Sequence, residues 1–190
     1  GLGDLYFTSP GAAAAAGSLG VVHGNTRPLA DVPSWQVGST QLYGSLGWAV
    51  STAGDVDGDG YDDILAGEPT WEQNHVAVGR VVVYRGGAEG PSTTPDWSTL
   101  GSRSSPMGLW VATAGDVNGD GFSDVLLGEP WFERSTANPD LDEGRVRVYH
   151  GSPTGLRAQP DWEVAPRQAY MYGMFPQSAG DVNGDGYSDV

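Results

Sequence analysis

The chain is 190 residues long and strongly acidic, with 24 Asp and Glu against 9 Lys and Arg and a formal net charge of −15. So few basic residues, scattered along the chain, argue against a nucleic-acid-binding surface, and no apolar run approaches the roughly 18 residues of a membrane span. Cysteine is absent, so disulfides cannot staple the fold.

In chain order, the same signals recur. A β-rich run, Val21-Val22-His23, ends at Gly24, and Trp35 follows 11 residues later. The next period predicts strands over roughly 46–54, 63–68, 79–85 and 94–100, with Gly86 and Trp97 again 11 apart. The third predicts strands from Asp124 to Gly128 and from Arg145 to His150, then Gly151 and Trp162. The strands are short and bounded by Gly, Pro, Asp and Ser. No amphipathic helix is evident, and the Ala12–Ala16 run is too short for an isolated helix in water. Self-similarity at this period marks a repeat architecture, and four strands per repeat predict an all-β fold of β-propeller blades. The repeating Trp residues and strand valines are then core between blades.

Between the first two strands of each period lies one nine-residue acidic pattern. It reads DVDGDGYDD at 55–63, DVNGDGFSD at 116–124 and DVNGDGYSD at 181–189. Positions 1, 3, 5 and 9 carry Asp or Asn, and position 6 is a Gly able to take the positive φ that wraps the chain around an ion. Hard cations such as Ca²⁺ take six to eight oxygens, and a tight acidic turn supplies several from a few residues. The first ligand set is Asp55, Asp57, Asp59, Asp63 and the Tyr61 carbonyl. The second is Asp116, Asn118, Asp120, Asp124 and the Phe122 carbonyl. The third is Asp181, Asn183, Asp185, Asp189 and the Tyr187 carbonyl. An EF-hand or dockerin-like loop needs an acid at position 12, where Ala66 and Leu127 stand. Strand-like sequence follows position 9, which predicts structural calcium loops inside β-hairpins. Twelve of the 24 acidic residues lie in these loops or at Asp4.

The pattern resembles the FG-GAP repeats of integrin alpha chains and their bacterial relatives. Leu46-Gly47, Met107-Gly108 and Tyr172-Gly173 stand for Phe-Gly; Gly67-Glu68-Pro69 and Gly128-Glu129-Pro130 stand for Gly-Ala-Pro, with Thr8-Ser9-Pro10 a degenerate copy. The resemblance implies a seven-bladed propeller of which this chain holds about three repeats. It also implies calcium loops on the face opposite the usual ligand-binding loops. The substituted Phe-Gly and Gly-Ala-Pro copies point to a secreted or surface-exposed bacterial protein rather than an animal integrin. Gly1 stands at loop position 6 and Asp189 at position 9, so the chain reads as an excerpt of a longer protein. The repeats run 1–45 (partial), 46–106, 107–171 and 172–190 (partial), and a terminal strand near 172–180 has the phase to pair with one near 4–9.

The segment from the recurring Pro to the strand-ending Gly varies most in length, which points to a binding face. It carries Trp71 and His75 in one repeat and Trp131 and Phe132 in the next, candidates for contact with a protein or glycan partner. The alternative is that Trp71 and Phe132 cap the blade. No Cys, HExxH or GxSxG is present, and the catalytic expectation is none. The functional expectation is an extracellular, calcium-binding binding or adhesion scaffold. Its alternatives are an accessory propeller part of a secreted hydrolase or phospholipase-like enzyme, or a calcium-dependent lectin.

Overall fold

The computed structural model describes residues 5–9, 16–24, 32–103, 105–133, 143–166 and 172–190. Thirteen strands are formed among them: β1 (Leu5–Ser9), β2 (Ser18–Val22), β3 (Trp35–Gly38), β4 (Val50–Gly54), β5 (Asp63–Glu68), β6 (Glu72–Gln73), β7 (Val76–Ala77), β8 (Arg80–Tyr84), β9 (Trp97–Leu100), β10 (Trp110–Gly115), β11 (Asp124–Glu129), β12 (Arg145–Tyr149) and β13 (Trp162–Val164). They build two four-stranded antiparallel sheets, β4-β5-β8-β9 and β10-β11-β12-β13, and one three-stranded sheet, β1-β2-β3. A two-stranded ribbon, β6-β7, joins β5 to β8. No helix occurs among the described residues, so none is long and apolar enough to cross a membrane.

These sheets are propeller blades, packed face to face. β5 and β11 are buried at all six positions, because an inner strand has a neighbouring blade on each side. Leu65 and, opposite it, Val83 turn to the following blade, where they meet Val125, Leu127 and Tyr149. Ile64 and Ala66 turn to the preceding one, where they meet Leu19 and Val21. Burying each such Leu or Val removes about 1.5–3 kcal/mol worth of apolar surface from water. Trp35 and Trp97 fill the outer end of the same seams, whereas Trp162, expected in the core with them, is 47% exposed on the last full blade. Trp35 meets Tyr84 edge-on at 5.4 Å, and Trp97 meets Tyr149 at 5.0 Å.

The glycines of the two short motifs have one purpose: they touch each other. A Cβ on Gly67 would lie 1.9 Å from the Gly108 carbonyl oxygen, and one on Gly128 would lie 2.0 Å from that of Gly173. One blade's second glycine motif thus abuts the next blade's first.

The hairpins predicted around the first two acidic loops form, with one adjustment, and the third loop is closed by an isolated bridge from Gly180 to Asp189. The first strand of each full blade starts later than its pattern suggested, at Val50 and Trp110. Gly47 and Gly108, with φ of 83° and 98°, break it, and Leu46 and Met107 make isolated parallel bridges to Gly17 and Gly79 of the blade before. Residues 172–180 make bridges from Tyr172 to Gly144 and from Gly180 to Asp189. β1 pairs with β2.

Candidate metal centre

The first two acidic loops are each launched by a β-bulge. The ladder slips between Thr52 and Gly54, and again between Thr113 and Gly115. A bulge re-aims the chain at the end of a pairing. Just before the three loops Gly54, Gly115 and Gly180 take φ of 72°, 75° and 70°. Their N–H groups donate to Thr52 Oγ1 at 2.9 Å, Thr113 Oγ1 at 3.2 Å and Ser178 Oγ at 3.1 Å.

Inside the loop the first Asp organises the turn. Asp55 Oδ1 accepts from the N–H groups of Gly58 at 2.7 Å and Asp59 at 3.1 Å, and its Oδ2 accepts from Gly60 at 2.8 Å. Asp116 repeats this with Gly119, Asp120 and Gly121. Asp181 does so with Gly184, Asp185 and Gly186. Position 5 then accepts from position 7: Tyr61 N–H to Asp59 at 2.9 Å, Phe122 to Asp120 at 3.1 Å and Tyr187 to Asp185 at 2.9 Å. Gly60, Gly121 and Gly186 have φ of 91°, 90° and 92°, as the wrap requires.

Position 9 closes the loop from the next strand. Asp63 Oδ2 accepts from Val56 N–H at 3.0 Å and Oδ1 from Gly86 N–H at 2.8 Å. Asp124 does the same with Val117 and Gly151, both at 2.9 Å. Asp189 accepts from Val182 at 2.9 Å. Asp63 and Asp124 are fully buried. Burial pushes the Asp63 carboxyl up to about 6, against the pull of its two N–H donors, and Asp57 and Asp59 push it further the same way. Burial also raises Asp124. The exposed Asp181 is lowered, first by the N–H of Gly186. A buried carboxylate crowded by other carboxylates is a group in want of a cation.

Asp55, Asp57 and Asp63 bring one oxygen each to within 4.8 Å of one another. The donors in all three loops are carboxylate, amide and carbonyl oxygens, with no sulfur and no imidazole, which is the chemistry of a hard divalent cation. The residues present therefore fit such an ion.

The loops are also joined to each other. Ser123 N–H donates to Asp55 O and Ser188 N–H to Asp116 O, both at 2.9 Å. The position-7 aromatic ring lies on the preceding loop: a Cβ on Gly58 would be 2.7 Å from Phe122, and one on Gly119 would be 2.3 Å from Tyr187. The sequence reading used position 7 only for its carbonyl. The recurrent pairing of a loop-position-4 Gly with an aromatic at position 7 was the available signal.

The other four candidates sit at the opposite end of the blades, since β5 and β11 run from the acidic loops towards them. Trp71 carries the Arg80 guanidinium over its ring at 3.5 Å, and Phe132 carries that of Arg145 at 3.8 Å. Those arginines are held in turn by buried carboxylates, Glu68 for Arg80 and Glu129 for Arg145. Trp71 and Phe132 thus stack on a buried ion pair at equivalent places. Trp131 lies 5.8 Å from Trp110, which meets Phe175 at 5.4 Å. Trp110 and Phe175 escaped the sequence reading, although each stands two residues after the Phe-Gly-type glycine. His75 is exposed in the turn between β6 and β7, with φ of 62°.

Residues 46–84 and 107–149 match the family model for the FG-GAP repeat. The chain is 34% identical to integrin alpha-PS2 of Drosophila melanogaster over 164 residues, which is 76% of this chain and 11% of that one. It is 29% identical to integrin alpha-5 of Xenopus laevis over 160 residues, covering 79% and 15%. It is 30% identical to integrin alpha-7 of Homo sapiens over 164 residues, covering 84% and 13%. The fold and the two matched stretches place the chain in the FG-GAP repeat family, and it is integrin-alpha-like in sequence. It spans between 11% and 15% of the length of these three relatives.

Proposed function

We propose that this chain is a calcium-stabilised stretch of an FG-GAP propeller that works outside the cell as a scaffold for binding a protein or glycan partner. The observation that carries the reading is the recurrence of one hydrogen-bond framework in three acidic loops. It holds position 1 on the turn's N–H groups and position 9 on the N–H of position 2, and in the first loop it brings one oxygen each of Asp55, Asp57 and Asp63 to within 4.8 Å of one another. One structural Ca²⁺ per loop would be held by Asp55, Asp57, Asp59, Asp63 and the Tyr61 carbonyl. Asp116, Asn118, Asp120, Asp124 and the Phe122 carbonyl would hold the second. Asp181, Asn183, Asp185, Asp189 and the Tyr187 carbonyl would hold the third. Calcium would neutralise carboxylates that otherwise repel. Extracellular modules bind it with Kd on the order of 10⁻⁴–10⁻³ M, so a millimolar environment suits the role.

The partner face we assign to the end opposite these loops, where Tyr43, Trp48 and Phe175 are 61%, 57% and 68% exposed. Exposed aromatic rings are common anchors for a partner. The repeats would run 1–45, 46–106, 107–171 and 172–190.

Thermal unfolding with millimolar calcium, with magnesium and with chelator tests the metal reading. A calcium-specific rise of several degrees is expected, since ligand held only by the folded state stabilises it by mass action. Identical melting in all three conditions would show that the loops are acidic turns.

A further inference from the structure

The three loops differ at one ligand position, and the difference has a partner elsewhere in the fold. Position 3 is Asn118 and Asn183 in two loops and Asp57 in the other. Asn118 accepts the Asp120 N–H on Oδ1 at 2.9 Å and donates Nδ2 to Asp120 Oδ2 at 3.0 Å. Asn183 does the same with Asp185, at 2.8 Å and 2.9 Å. Asp57 keeps the first contact, accepting the Asp59 N–H on Oδ1 at 3.3 Å. It cannot make the second, because a carboxylate has no proton to donate. Its Oδ2 instead meets Arg85 Nη1 at 2.9 Å.

Arg85 comes from the end of β8 and is braced from outside its blade, donating Nη2 to the Thr154 carbonyl at 2.7 Å. The next blade has His150 at the same place, and it faces Asp161 at 3.8 Å. The cation therefore stands beside the loop whose position 3 is anionic. Counting positions 1, 3, 5 and 9, the first loop carries one more negative charge than each of the others, and Arg85 cancels it.

We propose that Arg85 is a positioning and charge-balancing residue of the first loop. By occupying Oδ2 it limits Asp57 to donating one oxygen to a bound cation. The Asp57–Arg85 pair thereby does what a neutral asparagine amide does in the other loops. This rests on the reading that the loops hold calcium. Outer-shell partners of this kind fix the orientation of a ligating carboxylate and tune the affinity of its site.

The test is a calcium titration of the full chain followed by two-dimensional ¹⁵N–¹H NMR. The amides of Gly60, Gly121 and Gly186 each report on one loop. One unit of charge beside a divalent ion changes affinity by about tenfold under water-like screening. Asp57→Asn, which strands the arginine, should weaken the first loop by about that factor, and Arg85→Gln should tighten it by a similar one. The double variant should return to within about threefold of the unaltered chain, because the two charge changes cancel. Arg85→Lys, which keeps the charge, should stay near the starting affinity.

A purely structural role through Thr154 predicts that Arg85→Gln weakens binding whatever stands at 57, and a loss of affinity on Arg85→Gln with Asp57 in place would overturn the proposal. A variant that shifts the Gly121 titration as much as that of Gly60 has loosened the whole chain, and that too rejects it. Should the unaltered chain show no calcium response at any of the three amides, the calcium reading falls first and takes this inference with it.

Discussion

Substituting Asp63 by Asn isolates what a buried carboxylate costs when no cation faces it. Burial, reinforced by Asp57 and Asp59, raises this carboxyl from 3.8 to about 6. Between about pH 4 and 6 the folded state keeps the proton that the unfolded chain has released. Stability falls with rising pH wherever the folded state binds more protons, so the metal-free protein must weaken across that window. At 1.36 kcal/mol per pKa unit, Asp63 alone accounts for about 3 kcal/mol of the loss. Burial acts on Asp124 in the same direction. Asp181, lowered by the N–H of Gly186, acts in the opposite sense and at lower pH. A bound divalent cation needs the ionised carboxylate, so calcium should flatten or reverse the slope. The assay is urea unfolding of metal-free protein from pH 4 to 7, with and without the substitution. The new amide disturbs the bonds from Val56 and Gly86, but that cost is the same at every pH. The change of slope is therefore the readout: the Asp63→Asn protein should lose about 3 kcal/mol less across the window. Parallel curves for the two proteins would refute the reasoning.

Further outcomes follow from packing and backbone geometry. Gly67→Ala should cost at least about 3 kcal/mol in chemical unfolding, because its Cβ would meet the backbone oxygen of Gly108 at 1.9 Å and only blade separation can relieve that. Gly60→Ala meets nothing within 4 Å and should cost only about 1–2 kcal/mol, the strain of its φ of 91°. Trp97→Phe loses the indole bond to the Arg157 carbonyl at 2.9 Å and part of the contact with Tyr149. A fall in stability of about 1–3 kcal/mol should register in urea titration. Glu129→Gln leaves Arg145 buried beside a neutral amide where two carboxylate oxygens stood at 2.9 Å. It should cost about 3–5 kcal/mol, visible as a drop in melting temperature, whereas Glu163→Gln at the exposed end of the same network should cost under about 1 kcal/mol.

Strand periods, hairpins and acidic turns were legible because each depends on residues close in sequence. Gly60 wraps its loop with neighbours two or three positions away, and the Val81–Tyr84 run is a strand by its own composition. Trp97 and Trp35 were legible as seam residues because repetition stands in for three-dimensional contact, although the recurring Trp162 is exposed. The Glu in place of Ala in the second glycine motif was not legible. Its explanation is a partner directly opposite in the ladder, Glu68 against Arg80 and Glu129 against Arg145, 12 and 16 residues away. The β6-β7 ribbon was missed because two-residue strands carry too little pattern to separate them from a loop. Trp71 and Phe132, read both as partner contacts and as caps, proved to stack on those ion pairs.

The sequence by itself determined the repeat, the all-β class, the acidic loops and the oxygen-only chemistry, since a motif of nine residues folds on its own hydrogen bonds. Only the tertiary structure decided which residues of one blade meet the next: Gly67 with Gly108, Phe122 with Gly58, Ser123 with Asp55 and Arg85 with Thr154. Such pairs are set by how the sheets stack, and the stacking is fixed by the whole interblade core rather than by either partner. The same physics made Asp63 and Asp124 unusual. Any acidic turn can hold an aspartate, but only burial between packed blades raises its affinity for a proton and leaves it in need of a cation.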